Sequence, residues 1–122
     1  MKILVTGAAG FIGYHLSKEL LENNNQIYGI DNFSTYYDPN LKKDRINQLK
    51  SFKNFDFNEI DICDLDSLKS IFKKNNFERV VNLAAQPGVR YSLINPFEYI
   101  NSNLVGFVNI IELCKEIFLL YF

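Results

Sequence analysis

The first thirteen residues, Met1-Lys-Ile-Leu-Val-Thr-Gly-Ala-Ala-Gly-Phe-Ile-Gly13, constrain what this chain can fold into more than any other stretch. An apolar run from Ile3 to Val5 meets Gly7, Gly10 and Gly13, and an amphipathic helical pattern then extends from Phe11 to Leu21. The order is strand, glycine turn, helix. Glycines at such a junction let the backbone turn tightly and approach a phosphate, while a helix N-terminus presents unpaired N–H groups and a partial positive charge. The turn is therefore expected to cradle the pyrophosphate of a dinucleotide.

The remaining segments repeat the alternation. Gln26 to Ile30 is a near-continuous apolar strand ending at Asp31, as expected where both faces of a sheet are covered. After a polar, aromatic loop from Asn32 to Asn40, with Asp38-Pro39 as a helix entry, Leu41 to Lys50 carries Leu41, Arg45-Ile46 and Leu49 at helical spacing. Phe55 to Ile60 reads as a third strand and Asp64 to Lys74 as a third helix with Leu65, Leu68, Ile71 and Phe72 on one face. Arg79 to Asn82 is a fourth strand, Leu83 to Ile94 a loop, and a long helix begins near Pro96. Without hairpin dipeptides between strands, this βαβαβαβα order predicts an α/β fold, a four-stranded parallel sheet of order 3-2-1-4 with helices on both faces. A crevice should open at the carboxyl ends of the first and fourth strands, and ligand should bind there.

Composition removes several function classes. The 122 residues suit one domain, and 13 Lys and Arg against 14 Asp and Glu give no electrostatic reason to expect nucleic acid or an anionic membrane. No run approaches the roughly 20 apolar residues of a membrane span, and the chain enters its glycine turn without a signal-peptide pattern, so a cytoplasmic protein is expected. Cys63, Cys114 and the single His15 offer no metal-ligand spacing; reduced, structural thiols are expected. His15, on a helix and far from a candidate carboxylate pair, reads as structural.

Asp31 ends the second strand about 20 residues past the glycines, where a carboxylate can accept from the adenosine ribose hydroxyls. A turn-forming role is the alternative. A carboxylate repels a 2′-phosphate and no Arg follows immediately, so the expected cofactor is NAD, not NADP.

These residues resemble a family, the extended short-chain dehydrogenase/reductases, and within it the NAD-dependent nucleotide-sugar epimerases and dehydratases. Thr6 to Gly13 is similar to their TGxxGxxG fingerprint, Asp61-Ile62 with Asp64 to their adenine-side DxxD, and Asn82-Leu-Ala-Ala85 to their strand-4 turn. Asp31-Asn-Phe-Ser-Thr-Tyr-Tyr-Asp38 leading to Leu41-Lys-Lys-Asp-Arg45, and Ala84-Ala-Gln-Pro-Gly-Val-Arg-Tyr-Ser92 leading to Asn95-Pro96, look most like UDP-glucuronate 4-epimerases. The resemblance implies a partial Rossmann fold binding NAD. It puts Gly7, Gly10, Phe11, Ile12 and Gly13 at the pyrophosphate, Asp31, Asn32 and Ser34 around the ribose, and Asp61 and Ile62 beside adenine. Leu83, Ala84, Ala85 and Asn103 would then line the nicotinamide side. Small Ala84 and Ala85 past a strand end suit close ligand approach and tight packing equally well. Arg90 would meet the uronate carboxylate or diphosphate of a UDP-sugar, or stand as a solvated loop charge. Tyr36 and Tyr37 either shape the adenosine edge or simply pack.

The same resemblance implies catalysis by a Tyr-x-x-x-Lys pair after a fifth strand. The one such spacing here, Tyr14-His-Leu-Ser-Lys18, lies on the first helix and reads as coincidental, so no catalytic residue is assigned. The expectation is a truncated NAD-binding domain over residues 1–122, inactive alone and lacking the sugar-nucleotide domain, whose apolar C-terminal helix and open sheet edge favour self-association. Fragments of a UDP-glucose 4-epimerase or a nucleotide-sugar 4,6-dehydratase, and a non-enzymatic nucleotide-binding or interaction module, are the alternatives.

Overall fold

The computed structural model describes residues 1–36, 38–87 and 89–117. Four parallel strands, β1 (Lys2–Thr6), β2 (Gln26–Asp31), β3 (Phe55–Glu59) and β4 (Arg79–Asn82), form one sheet in the order β3-β2-β1-β4. Ile3 lies opposite Ile27 on one side and Arg79 on the other. β1 is apolar from Ile3 to Val5, where both faces of the sheet are covered. Ile3 and Val5 pack with Leu21 of α1 (Phe11–Glu22) and with Ile46 and Leu49 of α2 (Pro39–Leu49). Leu4 faces the opposite layer, with Leu68, Ile71 and Phe72 of α3 (Leu65–Lys74) and Ile110 and Leu113 of α6 (Gly106–Ile117). Burial of each such side chain contributes about 1.5–3 kcal/mol, so this layered core, not helix propensity, holds the strand ends in place.

Local chemistry sets the helix starts. Asp38 accepts from the Asn40 N–H at 2.9 Å with Pro39 as first helical residue, and Asp64 accepts from the Ser67 N–H at 3.2 Å. These caps agree with the expected entries. One expectation is corrected: the stretch read as a loop from Leu83 to Ile94 ends in a short helix, α4 (Val89–Ile94). Its last turn closes through Asn95 N–H to Tyr91 O at 2.9 Å, and Pro96 then opens α5 (Pro96–Ile100) under an Asn95 cap. The long helix is also not uniform, since Asn101–Val105 forms a π-helical segment between α5 and α6. Residues 118–122 lie outside the described residues.

The two sheet edges differ. β3 exposes Asp56, Asn58 and Glu59, which discourages strand addition. Beyond β4, α4 to α6 present Leu93, Ile94, Phe97 and Leu104 to solvent at 84%, 79%, 74% and 60% exposure, a large apolar surface for a chain of this size. Among the described residues, no helix is long and apolar enough to cross a membrane.

Candidate functional site

At the carboxyl edge of the sheet, the turns after β1 and β4 interlock. Gly7 has φ +69°, and a Cβ there would lie 2.9 Å from both the Ala84 nitrogen and the Leu83 carbonyl carbon. Gly13 is tighter still, because its Cβ would fall 2.1 Å from the Gly7 carbonyl oxygen. Thr6, fully buried, ties the two turns together: its Oγ1 accepts the N–H groups of Leu83 and Ala84, each at 3.0 Å, and donates to Asn82 Oδ1. Leu83 and Ala84 are half-buried and Ala85 is exposed. Ala84 therefore does serve tight packing, against Gly7 and the Leu4 layer.

The turn offers an anion its open side. Gly10 caps α1 without a side chain, no acidic residue stands in the first turn, and Phe11 and Ile12 hold their side chains out at 67% exposure each. The first N–H groups of the helix stay available.

At the end of β2, Asp31 is almost fully buried. Its Oδ2 accepts from the Ala9 N–H at 3.1 Å and its Oδ1 from the Phe33 N–H at 2.8 Å. A carboxylate has about four lone-pair positions, so roughly two remain for ribose hydroxyls. Asn32 Nδ2 donates to Asp61 at 3.3 Å, its Oδ1 accepts from the Ser34 N–H at 3.1 Å, and Ser34 Oγ accepts from the Tyr36 N–H at 3.3 Å. The loop after β2 is thus ordered by its own side chains up to Tyr36, whose ring lies 4.9 Å from that of Tyr91 on α4. Tyr37 lies outside the described residues.

At the end of β3, Asp61 is exposed but Ile62 is only 5% exposed, its side chain in the core and its carbonyl accepting from Asn109 Nδ2 at 2.9 Å. Asp64 caps α3, and the hydrogen bonds from Ser67 hold its carboxyl below the usual carboxylate range. Cys63 donates to Asn101 O at 2.9 Å, anchoring the π segment. Asn103 in that segment exchanges two hydrogen bonds with the Gln86 backbone, at 2.7 and 3.2 Å, and so holds the loop after β4. Arg90, on α4, is exposed and pairs with none of the described residues.

Burial, with the Asp61 charge next, pushes the Cys63 thiol up to about 11 from the ordinary 9.0. Near pH 8 its thiolate population is then about a hundredfold below that of an unperturbed thiol. Alkylation of Cys63 by iodoacetamide at pH 8, followed by peptide mass spectrometry, should accordingly be slow in the native chain and speed up on unfolding in urea.

Three residues of this site were not anticipated as functional: Thr6, Lys42 and Arg45. Lys42 Nζ lies 3.7 Å from Asp31 Oδ1, and Arg45 Nη1 donates to Ala9 O at 3.0 Å with its guanidinium 6.0 Å from the Phe11 ring centre. A signal existed in the spacing. Lys42, Arg45, Ile46 and Leu49 share one helical face, and burial of the last two directs the first two to the turn. Tyr14, by contrast, donates to Gln48 at 2.6 Å in a groove of about 400 Å³ lined also by Lys18, Leu49, Ser51 and Phe52, between α1 and the end of α2. His15 is exposed, edge-on to Phe11 and Tyr14 at 4.8 and 5.0 Å.

A family model described as GDP-mannose 4,6 dehydratase matches residues 4–120. Protein CapI of Staphylococcus aureus is 49% identical over 116 residues, 95% of this chain and 34% of that protein. UDP-glucuronate 4-epimerase 4 of Arabidopsis thaliana is 47% identical over 115 residues, 94% of this chain and 26% of that one. The crystal structure of a Bacillus cereus UDP-glucuronic acid 4-epimerase in complex with UDP-glucuronic acid and NAD is 40% identical, with a TM-score of 0.82 over 94% of this chain and 36% of that one. The chain thus spans a quarter to a third of the length of these relatives. With the interlocked glycine turn, the buried carboxylate after β2 and a family match over nearly its whole length, this chain belongs to the GDP-mannose 4,6-dehydratase family of NAD-dependent epimerases and dehydratases, matching the N-terminal region of its members.

Proposed function

We propose that this chain is the NAD-holding portion of a nucleotide-sugar 4-epimerase of the UDP-glucuronate type, and that it does not epimerise by itself. The observation carrying this reading is the Asp31 carboxylate, fixed by the Ala9 and Phe33 N–H groups beside an uncapped glycine-rich helix start. Gly7, Gly10, Phe11, Ile12 and Gly13 would hold the pyrophosphate through backbone N–H groups. Asp31, Asn32, Ser34 and Lys42 would hold the adenosine ribose, with Asp61 and the backbone of Ile62 at adenine, the Ile62 side chain itself being turned into the core. Leu83, Ala84 and Ala85 would border the nicotinamide, with Asn103 holding their loop through Gln86. NAD, when bound, supplies the hydride acceptor for a reaction at sugar C4. Arg90, exposed and unpaired among the described residues, suits the uronate carboxylate or the diphosphate of the UDP-sugar.

The placement of Tyr14 and Lys18 supports the inactivity. They flank the α1–α2 groove, and the Tyr14 hydroxyl is committed to Gln48, so the pair does not stand at the crevice. Calorimetry should register one NAD per chain, and a coupled assay with UDP-glucuronate should give no turnover. Turnover by this chain would refute the inactivity, and failure of the folded chain to bind NAD would refute the cofactor role.

The apolar surface of α4 to α6 favours a second reading, a non-enzymatic module that pairs with another chain. Size-exclusion chromatography with light scattering separates the two: a defined oligomer supports a module, polydisperse association an incompletely covered domain.

A further inference from the structure

We propose that Lys42 sets, together with Asp31, how this chain distinguishes a dinucleotide with a free ribose 2′-hydroxyl from one carrying a 2′-phosphate. The proposal rests on the NAD reading above. The two side chains are 12% and 5% accessible and 3.7 Å apart. An exposed pair at that distance would matter little, but here each charge is largely withdrawn from water and shapes what the other can accept. The separation exceeds a hydrogen bond, so the ammonium's three donors are not spent on the carboxylate.

The Asp31 oxygens already accept one backbone N–H each, which fixes the carboxylate independently of Lys42. Its remaining lone pairs need donors. A ribose diol supplies two, and its oxygens accept from the ammonium in return. A 2′-phosphate supplies none near neutral pH and brings close to two negative charges. Asp31 repels it and Lys42 attracts it. A lone carboxylate would exclude the phosphorylated cofactor by charge; with Lys42 alongside, the pair is nearly neutral and the exclusion is correspondingly softened. Removing Lys42 should therefore sharpen the preference for NAD, and removing the Asp31 charge should turn Lys42 into a phosphate ligand.

The test is calorimetric titration of the 122-residue chain with NAD and NADP. Lys42→Met should raise the ratio of Kd for NADP to Kd for NAD about tenfold, the scale of one charge-assisted hydrogen bond, while Lys42→Arg stays within about twofold of wild type. Asp31→Asn keeps an amide oxygen for the Ala9 N–H and should lower the ratio about tenfold, a gain that Lys42→Met in the same chain abolishes. Where wild-type affinity for NADP is too weak to measure, the Asp31→Asn background supplies the comparison. Equal weakening for both cofactors in Lys42→Met, or an NADP gain in Asp31→Asn that survives loss of Lys42, would overturn the proposal and leave Lys42 as an anchor for α2. A folded wild-type chain that binds neither cofactor overturns the proposed function and this inference with it; NAD binding with an unmoved ratio overturns the inference alone.

Discussion

Gly13→Ala should unfold this chain at markedly lower urea concentration than wild type, whereas Gly10→Ala should leave the unfolding midpoint almost unchanged. The added methyl at residue 13 would lie 2.1 Å from the Gly7 carbonyl oxygen, 2.9 Å from the Gly7 carbonyl carbon and 3.0 Å from the Ala8 Cα. All three obstacles are backbone, so no side-chain rotation relieves the clash. The turn has little room to retreat either, since Gly7 stands so near the β4 turn that a Cβ on it would lie 2.9 Å from the Ala84 nitrogen and the Leu83 carbonyl carbon. Overpacking of this kind costs about 3 kcal/mol or more, which for a domain of this length lowers Tm by about 10 °C. At residue 10 the added methyl meets only the Gly7 oxygen, at 3.2 Å, and φ is −72°, which any L-residue adopts. Its stability cost is within about 1 kcal/mol. Yet if the helix start holds a pyrophosphate, a methyl at Gly10 stands where the phosphate approaches, and NAD affinity should fall about tenfold or more. The two variants thus separate folding from binding: stability lost at Gly13, affinity lost at Gly10. Equal NAD affinity in Gly10→Ala and wild type, measured by calorimetry, would remove Gly10 from the cofactor site.

Why some of this was legible in the sequence and some not comes down to range. The glycine turn, the strand order and the helix caps depend on neighbours within a few residues or on the alternation of apolar segments, and the residues state them directly. Asp31 was readable as a carboxylate at a strand end; that two backbone N–H groups fix it was not, because Ala9 reaches it only after β1 and β2 pair. Lys42 and Arg45 reach the turn only because α2 packs on α1 and buries Ile46 and Leu49. Ile62 shows the same limit from the other side: the motif marks the position, but not that its side chain turns into the core, where a Cβ on Gly106 would lie 2.4 Å from it, leaving only its backbone toward the strand-end surface. The π segment left no mark in apolar spacing either. Its register is set by contacts from outside the helix, Cys63 to Asn101 and Gln86 to Asn103, which a period of 3.6 cannot encode.

Thr6→Val should cost about 1–3 kcal/mol although it preserves shape and burial, because it strips an acceptor from two part-buried N–H groups at once. In the native chain the Thr6 hydroxyl receives Leu83 and Ala84 and donates to Asn82, so a single oxygen satisfies the first two residues of the turn after β4. Valine offers a methyl in its place. Leu83 N–H retains a longer contact to the Thr6 carbonyl at 3.3 Å, but the Ala84 N–H has no such second acceptor among the described residues. The Ala84 amide then either stays unpaired or turns outward, and turning outward pulls the β4 turn off Gly7. Thr6→Ser, which keeps the oxygen, should recover most of the stability, less about 1 kcal/mol for the lost methyl. Circular dichroism during urea unfolding checks the order wild type, Ser, Val. A Val variant as stable as wild type would show that the hydroxyl is not what joins the two turns. A Val variant that folds but exchanges the Leu83 and Ala84 amide protons rapidly would locate the loss at the join, on the side of the crevice where the nicotinamide end of a bound dinucleotide would lie.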